Sequence, residues 1–436
     1  MGRRGNGPLY ELDGRVKPWK LLPFSVQHIL AMFVTNLVPI GIVAATADMS
    51  SSEILALVQN AMVVAGIATF IQCTPIGRVG SGLPIFMGVS FTFVVPMTAI
   101  AAKYGYGTVV GTVLAGGVFE GLLGLTARYW RKIIAPIVSA VVVTGIGLSL
   151  LSTAARSFGG GYVSDFGSVP HWVTGGVTLL ACLLWQIFTK GTKKQLSILV
   201  GLGAGYITAL CFGMVDLSGL TENGWFALPR LMPHTPEFRL DAILSICVVY
   251  LVSATETMGD AAAVASGALG REITTKEISG ALAVDGFGSA MGGLLGVMPV
   301  TSYTENAGLT IMTGVVTRTV ARVGALIMVL CGLFPPVGQF VRSIPSSVIG
   351  GVLVMVMGRI LVSGIEMIAQ AGFTPRNRLI ASISLAVGVG FTASTEAGIW
   401  TAFPQEVQTI VGSSVVSVVF VIAVLLNLLL PKQMED

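Results

Sequence analysis

Acidic side chains recur inside long apolar stretches of the second half of the chain. Glu256 lies in "SATETMGD", Asp285 in "AVDGFGSAMGG" and Glu305 in "TSYTENAGLTIMTG". A charge at the centre of a bilayer costs at least about 2.5 kcal/mol, so acids inside a membrane span face a cavity or a partner and are functional candidates. A carboxyl group in a site of low dielectric can also take up and release a proton near neutral pH. The sequence therefore predicts a site built on these three carboxylates, and we place Asp260, one turn after Glu256, at loop depth.

Polar and aromatic side chains in the first half form a second group of candidates. Gln27 and His28 interrupt the first apolar stretch, in "PFSVQHILAMFV". A histidine in such a span either donates to a neighbouring carbonyl or hydroxyl, or holds a carboxylate and relays its proton. Phe91, which follows Ser90, either packs as an ordinary aromatic or stacks on a planar ligand. The residues alone leave both alternatives open for His28 and for Phe91.

Membrane spans must position these residues. The chain has 436 residues, of which 53% are hydrophobic and 11% charged, whereas soluble domains carry about 25% charge. Apolar runs close to the roughly 20 residues that cross the hydrocarbon recur from Phe24 to Leu430, which excludes a peripheral or single-pass protein. The predicted fold class is an all-α polytopic membrane protein with fourteen segments, near 24–43, 54–73, 84–102, 107–127, 134–152, 172–189, 196–214, 242–265, 278–296, 306–317, 323–341, 346–365, 379–396 and 409–430.

The charges between these segments predict the topology. With the N-terminus inside, nineteen of the 25 Lys and Arg residues would lie on the inner side and five on the outer side, with Arg359 near a span end. This distribution follows the positive-inside rule, and an even number of spans returns the C-terminus to the same side. Residues 1–23 then form a cytoplasmic leader without a signal-peptide cleavage site, and residues 215–241 form an extracytoplasmic loop. The cations of the +4 net charge sit in these loops, so nucleic acid is not an expected partner. The five cysteines lack the spacing of a disulfide framework or a metal site.

Two stretches broken by Gly and Pro occupy corresponding places in the two halves, "VGSGLPIFMGVSFTF" at 79–93 and "LGVMPVTSYTENAGLTI" at 295–311. Seven spans per half is an odd number, so the second half must run inverted relative to the first. Paired interruptions of this kind point to a transporter's binding site. Non-helical backbone at membrane depth needs hydrogen-bond partners. We therefore expect two short strands, at 83–86 and 299–303, to pair, and the helices after them to aim their positive N-termini at a polar ligand.

The residues from Glu305 to Gly314 resemble the signature of the nucleobase-ascorbate transporter family, Q/E/P-N-x-G-x(4)-T-R/K/G. Gln27-His28, Glu256 and Asp285 also fall where that family keeps its QH pair and its acids, and the resemblance covers nearly the whole chain. It implies inverted repeats at 24–214 and 242–430, with the two antiparallel strands in broken spans 3 and 10. It also implies a core domain of spans 1–4 and 8–11 that moves like an elevator against a gate domain of spans 5–7 and 12–14, which forms a homodimer.

The resemblance further implies a proton-coupled importer of a nucleobase in a bacterial inner membrane, with both termini cytoplasmic and no cofactor beyond the proton. Each site residue then has an implied role. The base would be bound by Glu256, Glu305, Asn306, Phe91, Ser90 and Tyr303, with Asn306 orienting the site and the aromatic and backbone groups sandwiching the ring. Proton coupling would use Asp285, His28 and Glu256, and no metal is implied.

Two positions of the signature give conflicting indications of the base. Glu305 resembles uracil-type members, whereas Gly314 resembles xanthine-type members. We favour a purine of the xanthine, urate, hypoxanthine or guanine type, because the second half resembles purine permeases, and uracil is the alternative. An anion carrier of the same architecture is a remote alternative, since Glu256 would join Glu305 in repelling an anion at low dielectric. No enzyme is expected, because Asp260 lacks the first glycine of the GxGD motif of intramembrane aspartyl proteases.

Overall fold

The computed structural model describes residues 7–47, 49–130, 135–161, 163–190, 194, 196–215, 224–395, 398–403, 408 and 415–431. This part of the chain is almost entirely helical. Its helices and strands, in chain order, are α1 (Pro18–Thr46), α2 (Ser51–Cys73), β1 (Met87–Val89), α3 (Val94–Tyr104), α4 (Tyr106–Leu125), α5 (Ala127–Trp130), α6 (Pro136–Phe158), α7 (Val169–Phe188), α8 (Ser197–Cys211), α9 (Leu240–Ala263), α10 (Thr275–Leu294), β2 (Val300–Ser302), α11 (Thr304–Thr313), α12 (Arg318–Gly332), α13 (Pro335–Arg342), α14 (Ser346–Ala371), α15 (Pro375–Ala393) and α16 (Val415–Leu429).

Seven of the described helices are long and apolar enough to cross a bilayer, namely α1, α2, α4, α6, α7, α9 and α14. Three shorter apolar helices, α3, α8 and α16, accompany them. Large apolar side chains such as Phe188 and Leu429 stay exposed on the outer faces, as a lipid surround requires. A mostly helical protein with several membrane-spanning helices, as predicted, is confirmed.

Several predicted boundaries were wrong. Helix α1 begins at Pro18, before the predicted start at Phe24. The segment 323–341 is divided between α12 and α13, because Pro335 and Pro336 cannot continue the preceding helix. Helix α11 ends at Thr313, because Gly314 adopts φ 67° and ends it in a left-handed cap. Arg359, expected near a span end, lies near the middle of the 26-residue α14.

Glycine-rich helix pairs join the two halves. Helix α4 packs on α10, and α2 packs on α12. A Cβ on Gly286 would lie 1.9 Å from the Gly121 nitrogen, and a Cβ on Gly66 of α2 would lie 2.7 Å from the Ala325 carbonyl oxygen. Such small residues let backbones approach closely where lipid supplies no hydrophobic force between helices. Each of the two close pairs therefore contains one helix from the first half and one from the second.

The two strands meet between these helix pairs. β1 and β2 are antiparallel, with Gly88 opposite Thr301. The predicted position of the first strand, 83–86, was too early: β1 starts at Met87, and only the Phe86 carbonyl from that stretch joins the pairing, by accepting from the Tyr303 N–H at 2.9 Å. The alternation of Gly and Pro around this stretch could not specify the register.

Side chains of neighbouring helices satisfy the outer edges of the strands. On β1, the Met87 N–H donates to Thr69 Oγ1 at 2.9 Å and the Val89 N–H donates to Asn36 Oδ1 at 2.7 Å. On β2, the Val300 N–H donates to Ser289 Oγ at 3.0 Å. Extended backbone in a membrane is stable only with such partners, so these hydroxyl and amide groups hold the broken segments in place.

Candidate functional site

The broken segments bring two helix N-termini towards α9. β1 runs through a single 3-10 turn, Phe91–Phe93, into α3, and β2 runs directly into α11. Among the residues that the structure describes, no side chain caps the first turn of α11, whose N-cap is Tyr303. Glu305 lies within that turn. A carboxylate in the first turn of a helix is stabilised by the free N–H groups and the helix dipole.

Three carboxylates converge beside these N-termini. Glu256 of α9 accepts a hydrogen bond from Thr92 Oγ1 at 2.9 Å. Its carboxylate interacts electrostatically with those of Asp260 and Glu305, and Asp260 also interacts with Glu305. Like charges this close in an apolar surround repel strongly. The arrangement therefore favours protons, or a ligand rich in N–H donors, between the carboxylates.

Asp260 belongs to this site, so its predicted position at loop depth was wrong. It is 6% exposed and accepts from Ser302 Oγ at 2.7 Å and from Thr304 Oγ1 at 3.1 Å. Residues four apart lie on one face of a helix, so the spacing from Glu256 to Asp260 already put both carboxylates on the same side of α9. The polar "TETMGD" run could have signalled this.

Asp285 lies deeper, on α10, and is fully buried. Thr257 Oγ1 donates to Asp285 Oδ2, and the Thr257 and Ser302 hydroxyl oxygens lie 3.0 Å apart. Asp285 is thereby connected to Asp260 through two hydroxyl groups. Among the described residues, no group of three or more His, Cys, Asp and Glu side chains has the arrangement of a metal site.

His28 and Asn306 lie together at α1. Asn306 Nδ2 donates to the His28 carbonyl oxygen at 3.2 Å, and Asn306 Oδ1 is buried without a described partner. The His28 ring stacks on Phe86, with 4.4 Å between ring centroids and 10° between ring planes. Within the described part of the chain, no hydrogen bond or ion pair links His28 to the site carboxylates. The implied network of Asp285 and His28 is therefore not assembled in this conformation.

The three residues expected to sandwich a base differ in their surroundings. The Ser90 N–H donates to the Pro299 carbonyl at 3.0 Å, so its backbone is part of the strand pairing. Tyr303 is 5% exposed and covers Gly88, where a Cβ would lie 2.6 Å from its ring. Phe91 is half-buried and next to Thr92, the residue that reaches Glu256. Phe91 thus keeps the more accessible ring.

Two charged residues near the site were missed. Glu120 of α4 is fully buried, neither carboxylate oxygen has a partner among the described residues, and it interacts electrostatically with Asp285. Arg359 of α14 is half-buried and interacts electrostatically with Glu305. Both lie in long apolar runs. The rule that drew attention to Glu256 applies equally to them.

A cavity of about 870 Å³ adjoins α9 on another face. Among its lining residues are Pro136 and Ser139 of α6, Met258 of α9, Met367 of α14 and Arg376 of α15. The cavity thus lies where α9 meets the helices α6, α14 and α15. A volume of this size is in the range of small-molecule sites.

Comparison with known proteins shows the same family throughout. A model of the xanthine and uracil permeases, described as "Permease family", matches residues 19–397. Xanthine permease XanQ of Escherichia coli K12 is 32% identical over 448 residues, covering 99% of this chain and 95% of XanQ. Uric acid permease PucJ of Bacillus subtilis 168 is 30% identical over 411 residues, covering 92% of this chain and 90% of PucJ.

A solved structure shares the fold. The transmembrane domain of the cyanobacterial bicarbonate transporter BicA superposes with a TM-score of 0.59 at 16% identity, covering 85% of this chain and 99% of that domain. At this identity the likeness concerns the architecture alone.

Proposed function

The chain belongs to the nucleobase-ascorbate transporter family, and we propose that it imports a purine base together with protons. It is a membrane transporter and not an enzyme. The observation that carries the proposal is the convergence of Glu256, Asp260 and Glu305 beside the N-termini of two broken helices. Purines present N–H and C=O groups along their edges. Ionised carboxylates accept from the N–H groups, protonated carboxyls donate to the C=O groups, and a ligand that leaves buried groups unpaired is rejected.

The relatives favour a purine over uracil. XanQ is named for xanthine and PucJ for uric acid, and Gly314 agrees with a xanthine-type signature. Uracil remains the alternative because of Glu305. A base between Glu256 and Glu305 would have the half-buried Phe91 ring available for stacking.

The architecture of two inverted repeats of seven spans, fourteen in all, is part of the proposal. If α2 corresponds to α10 and α4 to α12, the repeat explains why α4 packs on α10 and α2 packs on α12. It also explains why α2 and α10 both begin with a capping box, Ser50–Glu53 and Thr274–Glu277. We propose that α1–α4 and α9–α12 form a core that moves like an elevator against a gate of the remaining long helices.

The cavity between α9 and α6, α14 and α15 would be the path by which the base leaves on the cytoplasmic side. Arg376, which lines the cavity, lies in the first turn of α15, at the end of that helix that the charge distribution assigns to the inside. We further propose that the gate forms a homodimer in a bacterial inner membrane, with both termini in the cytoplasm.

The main rival is an anion carrier, since BicA has the same fold. An anion site needs an uncompensated positive field. Here the carboxylates of Glu256, Asp260 and Glu305 surround the helix N-termini, and Arg359 is the one cation among the described residues that interacts with them. The excess of negative charge disfavours an anion.

A thermal-shift screen of the detergent-purified protein tests the proposal. A ligand that binds only the folded state raises its apparent stability, so xanthine, urate, hypoxanthine, guanine, adenine, uracil, ascorbate and bicarbonate are compared. We expect stabilisation by oxidised purines. Stabilisation by uracil alone would assign the uracil alternative, and stabilisation by bicarbonate alone would refute nucleobase transport.

A further inference from the structure

A continuous chain of hydrogen bonds joins Asp260 to Asp285. Ser302 Oγ bonds Asp260 Oδ2 at 2.7 Å, Ser302 Oγ and Thr257 Oγ1 lie 3.0 Å apart, and Thr257 Oγ1 bonds Asp285 Oδ2. All four side chains are at most 6% exposed. We propose that this chain is a proton relay in which Asp260 and Asp285 share a single proton. The inference rests on the proton-coupled transport proposed above and assigns it a route.

Counting hydrogens leads to the single proton. The chain has three contacts, but Thr257 and Ser302 supply one hydroxyl hydrogen each. If both carboxyls were ionised, each hydroxyl would donate to its carboxylate and no hydrogen would remain between the two hydroxyls. If both were protonated, one hydroxyl hydrogen would have no acceptor along the chain. With one carboxyl proton, each of the three contacts has one donor and one acceptor.

The single proton has two equivalent placements. In the first, Asp260 donates to Ser302, Ser302 donates to Thr257, and Thr257 donates to the ionised Asp285. In the second, every donor is reversed and Asp285 carries the proton. Moving between them breaks an O–H bond at Asp260, breaks one and forms one at each of the two hydroxyls, and forms one at Asp285. Three O–H bonds break, three form, and one proton passes from Asp260 to Asp285 without any redox change. Thr304 Oγ1 donates to Asp260 Oδ2 in both placements.

The two ends of the relay face different surroundings. Asp260 interacts with the ligand-facing Glu256 and Glu305, so an N–H-rich base arriving there changes the charge around it. Asp285 interacts with Asp260 and Glu256 as well, but in addition with Glu120 of α4 and Tyr250 of α9, which do not interact with Asp260. Other charged residues on the elements packed against α9 and α10 lie near helix ends: Glu53, Lys103, Arg128, Arg156, Asp241, Lys276 and Glu277.

Glu120 supports the single shared proton at the Asp285 end of the relay. Its two carboxylate oxygens and Asp285 Oδ1 are buried without described partners. Two ionised carboxylates in such a place are disfavoured by both burial and repulsion. A proton delivered through Thr257 to Asp285 is therefore retained inside the core until the charge beside Asp260 changes again.

Removing one hydroxyl tests the relay. Thr257→Val keeps the shape of the side chain and removes the hydrogen-bonding group. Thr144→Val is the matched control, since the buried Thr144 of α6 donates to the Ala140 carbonyl of its own helix at 2.9 Å. Both proteins are reconstituted in liposomes with xanthine as the probe. We expect Thr257→Val to retain xanthine binding and xanthine–xanthine exchange but to lose accumulation driven by a pH gradient. Thr144→Val is expected to behave as the unmodified protein, and Thr257→Ser is expected to retain accumulation.

Accumulation by Thr257→Val at the unmodified level would overturn the relay. If Thr257→Val does not fold, Ser302→Ala breaks the same chain at its other hydroxyl, and undiminished accumulation there would have the same meaning. A second measurement tests the relay independently of nucleobase transport: the infrared absorption of protonated carboxyl groups, recorded without any base. A failure of the relay can then be distinguished from a failure of the proposed function. We expect that absorption to shift in Thr257→Val and not in Thr144→Val. The absence of a shift in Thr257→Val would overturn the relay whether or not the protein binds xanthine.

Discussion

The two broken segments share a backbone plan and differ in chemistry. Beside β1 and the N-terminus of α3, the polar side chains that bond the strand or the site are neutral: Asn36 and Thr69 accept from strand N–H groups, and Thr92 donates to Glu256. Around β2 and α11, the sequence adds carboxylates at Glu305 and, on the adjacent helices, at Glu256, Asp260 and Asp285. The second half thus supplies the carboxylates beside the two helix N-termini, and the first half supplies shape and hydrogen-bond donors there.

This difference separates ligand recognition from support. If it is correct, removing charge from the second half should abolish or redirect binding. Removing a hydroxyl from the first half should weaken binding by the value of one hydrogen bond. Changing a helix cap should alter stability alone.

The largest effect is expected from Glu256→Gln. It leaves an oxygen that can still accept from Thr92, but it replaces the negative charge and one acceptor with an NH2 donor, and a hydrogen bond to a charged group is worth about 1.5–3 kcal/mol. Isothermal titration with xanthine should show no measurable binding. Glu366→Gln, on the exposed face of α14, is the control and should bind normally. Retained affinity in Glu256→Gln would remove Glu256 from the binding site.

Thr92→Val should produce an intermediate effect. A hydrogen bond to a charged group contributes about 1.5 kcal/mol or more, so xanthine affinity should fall about tenfold while the protein stays folded. Thr98→Val, which loses only a bond to the Val94 carbonyl of its own helix, should leave the affinity unchanged. Equal losses of xanthine affinity in Thr92→Val and Thr98→Val would show that the hydrogen bond from Thr92 to Glu256 does not contribute to binding.

Glu305→Gln should change selectivity more than affinity. Glutamine keeps the size of the side chain, adds a donor, and removes the charge that interacts with Arg359. A change of one neutral hydrogen bond is worth about 1 kcal/mol, so the ratio of xanthine to uracil affinity should shift about fivefold. Competition binding with the two bases measures it, and an unchanged ratio would speak against contact between Glu305 and the base.

Glu277→Ala should have the smallest effect, on stability only. Glu277 precedes the predicted span 278–296 and closes the capping box with Thr274, where its carboxylate also pairs with Arg271. Burial opposes ionisation, but hydrogen bonds from Arg271 and Thr274 outweigh it and hold the pKa of Glu277 below its ordinary value. Loss of the box should cost about 1 kcal/mol and leave xanthine affinity unchanged.

The pH dependence of this variant follows from the sign of that shift. A lowered pKa stabilises the folded state above the unfolded-state value and loses this contribution as pH falls through the lowered value. The difference in Tm between Glu277→Ala and the unmodified protein should therefore be full at pH 7 and shrink under acidic conditions. A difference that grows on acidification would contradict the assignment.

The sequence was most informative where a charge interrupts an apolar run. Glu256, Glu305 and the two broken stretches could be found because charge and Gly-Pro pairs are costly in a membrane. The strand register could not, since several frames of Leu83–Val89 satisfy the same pattern. Thr257 and Ser302 were not distinguishable from other hydroxyl residues, which in membrane helices usually bond their own backbone; only the fold shows that these two face each other.

Asp260 and Glu120 were underestimated for a different reason. The depth of Asp260 depends on where a span ends, and predicted boundaries were displaced by several residues, whereas Glu120 lies well inside the predicted span 107–127. The helical spacing from Glu256 could have corrected the first of these errors. The second required only that the rule for intramembrane acids be applied to the first half as well.

Uptake of labelled xanthine into liposomes containing the purified protein tests the central claim most directly. An inward pH gradient should drive accumulation above the external concentration, and a protonophore should abolish it. Glu256→Gln liposomes should show neither uptake nor a response to the gradient. Xanthine entry that merely equilibrates, and that is indifferent to the protonophore and to Glu256, would contradict proton-coupled transport through this site.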